Sequence, residues 1–562
     1  MSPQRIEVAL LTTILAGYLL VGGLYATQTA PWQAPDEPAH YNVIAQIAAA
    51  GCCPVIEMGD WDNPYLEDLK ASRFAPSLTG DLATIQYEDH QPPMYYLLLT
   101  PVYRLTNGSL IALRLVSMVL GAGVVLLAYT LSRLMFPARR GVALGTAALV
   151  AYIPQHLVIL GSINNDALAY LLIALVFVLC ALYVTEHDRE RLRWVRWGFT
   201  AGVSLLALAV LLGLPWSRPD IFWMVPPLLV ASIIVVWRLR DDTRNSYHVM
   251  LGTLVGVTFL TKTTVYFSVG LVVAAVVLRP IVMAARSAAG RSAGIALKVA
   301  DALKDIPIPN LSPERERKLK QAGWRFGWQM LKNARSVYAP VFRRHARKIG
   351  RGLLVVLGVS IAYGLVWWVR NSVVYGFPDI LGLAAHDAVV VGQLRTAERI
   401  ADVGWGGYWR GAFATTFNSF WGQLGWMALP LPANWYTVIW AMLALAATGL
   451  VIDLRRGDRP PTAHRVVVGI LLGLAGLAAL AQFAYYNIKF YQVQGRYLFV
   501  ALIPFALTVA AGLDGWIRLL RDRVTSLPLR AYTPYLMPLT LAAVFGGANL
   551  WLLRFVVPVL AP

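Results

Sequence analysis

Residues 8–27 read VALLTTILAGYLLVGGLYAT, twenty positions without a charge. As a helix rising about 1.5 Å per residue, such a stretch crosses the ~30 Å hydrocarbon core of a bilayer. It is longer than the apolar region of a cleavable signal and no small-residue cleavage site follows it, so it reads as a retained first span. Comparable runs recur along the 562 residues. Counting the first as 7–28, candidate spans follow at 110–135, 141–160, 166–185, 196–213, 220–238, 247–262, 264–283, 353–369, 435–453, 465–486, 496–518 and 533–557. Hydrophobic residues make up 57% of the chain and charged ones 14%, where a soluble domain carries about a quarter. The expected fold is an all-α polytopic membrane protein of about thirteen spans.

The net charge of +19 has a topological explanation. The stretches RLMFPARR (133–140), DRERLRWVRW (188–197), WRLRDD (237–242), DLRRGDRPPTAHR (453–465) and RLLRDR (518–523) all fall on one side if the N-terminus is cytoplasmic. That is the asymmetry expected of inward-facing loops, and it leaves no need for a nucleic-acid partner. The C-terminus then lies outside. A basic insert, 284–352, divides an N-terminal module (1–283) from a C-terminal one (353–562). It interleaves Trp324, Phe326, Trp328, Leu331 and Tyr338 with Lys and Arg, the pattern of helices lying on an anionic membrane surface. Cys180 sits in an apolar run. Cys52 and Cys53 are neighbours, which bridge poorly, so no disulfide framework is expected.

Two long segments fall on the opposite, outer side, 29–109 and 370–434, and long loops commonly carry function. The first opens on APDEPAHY (34–41), with Asp36, Glu37 and His40, and closes on EDHQPPMYYLLL (88–99), with Glu88, Asp89 and His90. A short helix is expected after each cluster, at 40–50 and 94–105, lying at the membrane interface. Other polar groups map to outer ends: Asn164, Asn165 and Asp166; Lys262; Arg370 and Asn371; Trp421, Gln423 and Trp426; Lys489, Gln494, Arg496 and Tyr497. Each alone has an ordinary explanation, since Asn and Asp cap helices and Lys and Arg snorkel. Together they gather carboxylates and cations near membrane depth, where ionisable groups are costly and mark function. A carboxylate beside several cations suits a substrate with a phosphate on a lipid tail, Arg being suited to bidentate phosphate binding.

The motifs PDEPAHY, HQPPMYYLL, LTKTT (260–264), WWVRNSVVYG (367–376) and QGRYLF (494–499) resemble, in their order and spacing, the GT-C superfamily of membrane glycosyltransferases. The resemblance is to the protein O-mannosyltransferase and aminoarabinose-transferase branch, and to predicted bacterial membrane proteins carrying PDEPAH. It spans most of the chain except the basic insert. It implies a lipid-phosphate-linked sugar donor, transfer with inversion at the outer face of the cell membrane, and a cell-envelope role. Asp36 matches the family's acidic position and is expected as base, with Glu37 positioning and His40 completing the motif. His90, Pro92 and Pro93 match an HPP pattern into which Gln91 is inserted, a departure that bears on His90. The polyprenyl phosphate is a good leaving group, so its charge needs cations rather than a strong acid. His90, Asn165, Asp166, Lys262, Arg370, Asn371, Gln494, Arg496 and Tyr497 are the expected substrate and phosphate ligands. The acceptor would be a protein, a lipid or a glycan. No cofactor is required and no spacing marks a metal centre, although Asp36, Glu37, His40 and His90 offer the oxygen and nitrogen donors of a divalent cation. A transporter or flippase of a lipid-linked sugar would use the same cations but predicts polar residues through the membrane and inverted repeats. No repeat is visible. A non-catalytic member of the fold is the third reading.

Overall fold

The computed structural model describes residues 2–185, 189–215, 220–284, 334–456 and 462–562. Among them, eleven helices are long and apolar enough to cross a membrane: Pro3–Gln28, Leu110–Met135, Asp166–Thr185, Glu190–Gly213, Ile221–Arg238, Thr263–Ala284, Pro340–Val374, Ala433–Arg456, Ala463–Lys489, Gly495–Arg523 and Leu529–Phe555. A twelfth crossing is the pair Arg140–Tyr152 and Pro154–Leu160, bent by 61°. Pro154 causes the bend: it has no N–H to donate, and it holds Ile153 extended (φ −60°, ψ 117°). The remaining expected span corresponds to Thr243–Phe259, a helix of 17 residues, at the short end of what crosses a bilayer core; it runs alongside Asp166–Thr185, from His248 against Tyr183 (2.9 Å) at one end to Lys262 against Asp166 (2.6 Å) at the other. The all-α polytopic class stands: eleven long helices, the bent pair and this shorter helix correspond one to one to the expected spans. The expected surface helices of the basic insert, including Trp324, Phe326, Trp328 and Leu331, fall on 285–333, outside the described residues. From Ala334 the chain is one helix through Val374.

Spans from both sides of that segment pack on one another. Tyr25 donates to Asn549 Oδ1 at 3.0 Å, and Gly512 and Gly515 let the helices Ala433–Arg456 and Gly495–Arg523 touch backbone to backbone, since a Cβ at either would meet a carbonyl oxygen at 2.1 Å. At one end of the bundle Arg139 bridges Asp453 (2.8 Å) and Asp514 (2.7 Å), and Glu7 meets Arg133 at 3.0 Å and Arg140 at 3.4 Å.

The two long loops lie at the other end and are ordered by their own core. The first carries helices Glu37–Ala50 and Met94–Leu105, close to the expected bounds, together with Asn63–Ala71. The first two pack face to face, burying His40, Val43, Ile44 and Ile47 and Met94, Tyr95, Tyr96 and Leu97. The second loop, in which the sequence reading places no element, contains Leu383–Val389 and a 26-residue helix, Thr396–Trp421, broken at Gly404 (φ 67°). Its Gly and polar content hid it from a search for apolar runs. Val390 of the second loop joins Ala39, Leu66, Leu69, Phe74, Ile85 and Tyr87 of the first in a satellite core. Trp61 Nε1 donates to Val391 O at 2.9 Å, and Trp426 Nε1 to Trp32 O at 2.8 Å. Cys52 and Cys53, expected to stay apart, are bonded to each other in a tight turn after Gly51.

Candidate active site

Asp36 starts the helix Glu37–Ala50, yet its side chain does not cap it. The residue is left-handed (φ 66°), a conformation that Asp tolerates better than most side chains. Its carboxylate instead takes a hydrogen bond from Tyr87 (2.9 Å, to Oδ1) and an ion pair from Arg496 (to Oδ2). Burial disfavours its charge, but the Arg496 guanidinium and the hydrogen bonds overcome this and hold the carboxyl down to about 2. Its side chain remains 22% exposed, so a ligand can reach it.

Arg496 is itself held in place. Gln494 Oε1 accepts from its Nε at 2.8 Å, and Gln492 Oε1 in turn accepts from Gln494 Nε2 at 2.9 Å. Tyr170 donates to the Arg496 carbonyl at 3.3 Å. Four residues after Asp166 in the helix Asp166–Thr185, Tyr170 ties this region to a second pair: Lys262 Nζ donates to Asp166 Oδ1 at 2.6 Å. Asn164 Oδ1 accepts from Asp166 N at 2.9 Å, the ordinary capping role. Asn165 Nδ2 points at Tyr96 (3.4 Å) and Gln91 (3.5 Å). His40 Nδ1 lies 2.9 Å from the same Tyr96 hydroxyl, and burial pushes the imidazole down to about 3, which keeps it neutral.

Of these groups Asp36, Tyr87, Gln492 and Gln494 line a cavity of about 170 Å³, together with Glu88, Tyr486 and Tyr497, and with Trp61, Lys70 and Trp426 closing it from the loops. It is smaller than the several hundred Å³ of a typical drug-sized site and has room for a sugar ring rather than a whole glycolipid. Alternating charges, Asp36, Arg496, Asp166 and Lys262, run beside it.

Other expected ligands stand elsewhere. Glu37 is fully buried and does not face the cavity: Arg114 grips it through Nε (2.7 Å) and Nη2 (2.6 Å), and it accepts from the backbone of Trp32 and Ile163, both at 3.1 Å. Arg114 also donates to the carbonyls of Ala26, Thr29 and Ala30, the end of the first span, where carbonyls lack helical partners. The pair therefore fixes the first loop to the bundle, and Glu37 is a positioning residue. Arg370 is not beside the cavity either. Its Nη2 donates to Cys53 O (2.8 Å) and Pro54 O, and its Nη1 to Asn371 Oδ1 (3.0 Å), while Asn371 Nδ2 holds Ile380 O at 3.1 Å. Both residues are consumed in joining the two loops beside a larger cavity, about 500 Å³, lined by Cys52, Cys53 and Pro54. His90 meets the His386 ring at 4.3 Å, tilted, and donates from Nδ1 to Tyr87 O at 3.0 Å; with Gln91 turned toward Asn165, it stands behind His386, which lines the cavity. Lys489 pairs with Asp387, and Trp421 is a buried core side chain stacked on Phe545.

Reading the sequence missed Arg114, Tyr87, Tyr486 and Gln492. Arg114 had a signal, a lone charge inside an apolar helix; the others had none. Glu88 was noticed only as part of a polar cluster.

Asp36, His40 and Glu88 each bring a potential donor atom within 4.8 Å of the others. Both Asp36 oxygens are engaged by Tyr87 and Arg496, and a divalent cation there would displace or oppose a fixed guanidinium. The three do not fit a metal centre as arranged, and no step below passes through a metal.

Residues 90–216 match the sequence profile of the family described as dolichyl-phosphate-mannose-protein mannosyltransferase. Over that stretch the chain is similar to that family. The match takes in His90, Arg114, Asn165, Asp166 and Tyr170, and it stops short of Asp36 on one side and of Lys262 and Arg496 on the other. A solved structure, ArnT from Cupriavidus metallidurans bound to undecaprenyl phosphate, is similar over 98% of this chain and 73% of its own, with 13% identity and a TM-score of 0.40. No curated protein matches the chain.

Proposed function

We propose that the protein transfers a sugar from a polyprenyl-phosphate donor to a hydroxyl acceptor at the outer face of the cell membrane, inverting the anomeric carbon. The observation that carries this reading is Asp36 at the wall of a sugar-sized cavity, paired with Arg496 behind it, with a second cation, Lys262, held on Asp166. The family matched by residues 90–216 is named for a dolichyl-phosphate sugar donor, which is the same chemistry. The orientation follows from the basic loops, which place the two long loops outside.

The parts have separate tasks. The donor's phosphate carries one negative charge as a diester and two once it leaves. Arg496 and Lys262 receive that charge, and Gln494 keeps the guanidinium aimed. The bond from the anomeric carbon to the phosphate oxygen breaks, and its electron pair leaves with the phosphate. The acceptor oxygen forms the new bond from the opposite face. Positive charge builds on the sugar meanwhile, as in glycoside hydrolysis, and Asp36, ionised at any physiological pH, offsets it. A carboxylate this acidic is a weak proton acceptor, so Asp36 suits electrostatic stabilisation better than the base role expected from the motif.

The test is polyprenyl-phosphate release by purified protein in lipid, from a panel of polyprenyl-phosphate sugars with membrane extract as acceptor. The reading predicts release with one donor and its loss in Asp36→Asn. Release from no donor, with polyprenyl phosphate still bound, would point to transport or to a non-catalytic role instead.

A further inference from the structure

We propose that Glu88 is the general base that takes the acceptor's proton, so that Asp36 and Glu88 divide the work of one site. The inference rests on the transfer reading above. Glu88 follows Tyr87, whose hydroxyl fixes Asp36. It lines the same cavity as Asp36, and one of its oxygens lies within 4.8 Å of ligand atoms of both Asp36 and His40.

What distinguishes Glu88 is one unpartnered oxygen, its carboxylate being met otherwise, among the described residues, only by the Gln91 side chain. Asp36 is engaged by Arg496 and Tyr87, Glu37 by Arg114, Asp166 by Lys262, and Asp89 by Gln46 at 2.9 and 3.0 Å. Glu88 Oε2 is shielded from solvent and has no hydrogen-bond partner among the described residues. A buried acceptor left unsatisfied is costly, and a substrate hydroxyl entering the cavity would supply the missing donor. Burial and the Asp36 charge also push the Glu88 carboxyl up to about 8. Two neighbouring carboxyl groups forced apart in this way mark a division between an ionised stabiliser and a proton-transfer group.

In the step, the ionised form of Glu88, a minor fraction at neutral pH that grows as pH rises toward about 8, takes the proton of the acceptor O–H bond, and the oxygen pair so released attacks the anomeric carbon. The carbon–phosphate-oxygen bond breaks, and its electrons leave on polyprenyl phosphate. Glu88 ends protonated and returns its proton to solvent.

Glu88→Ala and the near-isosteric Glu88→Gln test this with a donor that the wild type consumes. Transfer to a hydroxyl acceptor should fall by about 10²–10⁴-fold while donor binding stays within about twofold. Azide is a nucleophile that carries no proton to remove. Added to Glu88→Ala, it should restore polyprenyl-phosphate release and give a glycosyl azide of inverted configuration, whereas it should not rescue Asp36→Ala. A merely structural Glu88 would show no such rescue. Transfer surviving in Glu88→Gln, or a loss in Glu88→Ala that azide leaves unchanged, would overturn the assignment. A wild-type protein that releases no polyprenyl phosphate from any donor would overturn this inference together with the transfer reading, whereas failure of the Glu88 variants alone would leave that reading intact.

Discussion

Arg496 pairs with Asp36 across 460 residues of sequence, joining the entry of a late span to the loop that follows the first. A site assembled this way exists only when both ends of the chain are folded together. It also places a cation, already aimed by Gln494, where a leaving phosphate would develop its second charge. Replacing Arg496 by Lys keeps the charge and removes the fork. Polyprenyl-phosphate affinity should fall about 10-fold in Arg496→Lys and about 100-fold in Arg496→Met, the scale of one or two charge-assisted hydrogen bonds. Equilibrium binding in lipid nanodiscs measures this, and equal affinity in all three proteins would remove Arg496 from the phosphate site.

Glu37 and Arg114 are both buried to within 1% and satisfy each other and five backbone groups. Removing one leaves the other charged and unpaired. Glu37→Ala should cost about 3–5 kcal/mol of stability. Glu37→Leu with Arg114→Met, which removes both charges, should recover part of it. Thermal unfolding in detergent reads the effect; a single variant as stable as wild type would contradict the positioning role.

Arg370 was the third expected phosphate ligand, and its contacts say otherwise. Arg370→Met should lower the thermal midpoint by loosening the Cys53–Pro54 turn and the Asn371 contact. The protein that remains folded should bind polyprenyl phosphate as tightly as wild type. A selective loss of binding without loss of stability would return Arg370 to the site.

Much of this was legible in the sequence, for physical reasons that differ from residue to residue. Apolar runs must be long to cross a bilayer, so the spans stood out, and only the bend at Pro154 and the shortness of the helix Thr243–Phe259 departed from the expected pattern. Asp36, Lys262 and Arg496 were found because charges at span ends are scarce and conspicuous. What the sequence did not separate was an ion that faces a cavity from one that fastens a loop. Glu37 and Arg370 look like ligands by composition and by side of the membrane, and only their saturation by Arg114 and by backbone carbonyls reveals their task. Glu88 was obscured for the opposite reason, since an acid in a run of polar loop residues carries no sign that its neighbours leave it unpaired.

Asp89 is 98% buried and is held on both oxygens by Gln46, with Asp60 and Arg370 as its charged neighbours. Burial pushes its carboxyl up to about 8 from an ordinary 3.8. The folded state therefore holds a proton that the unfolded state has lost, and stability falls as pH rises from about 4 to about 8. Asp89→Asn removes that dependence, and Gln46 can turn its amide to match. The variant should gain thermal stability relative to wild type as pH rises through this window. Thermal midpoints at pH 5 and pH 9 give the comparison, and a gain confined to pH 5 would reverse the sign of the argument.

The most direct measurement is release of polyprenyl phosphate from polyprenyl-phosphate sugars by the purified protein in lipid, beside Asp36→Asn. The account predicts release from one donor, formation of an inverted glycoside, and loss of both in the variant, with the donor still bound. Undiminished release by Asp36→Asn, or binding without release by the wild type, would contradict it.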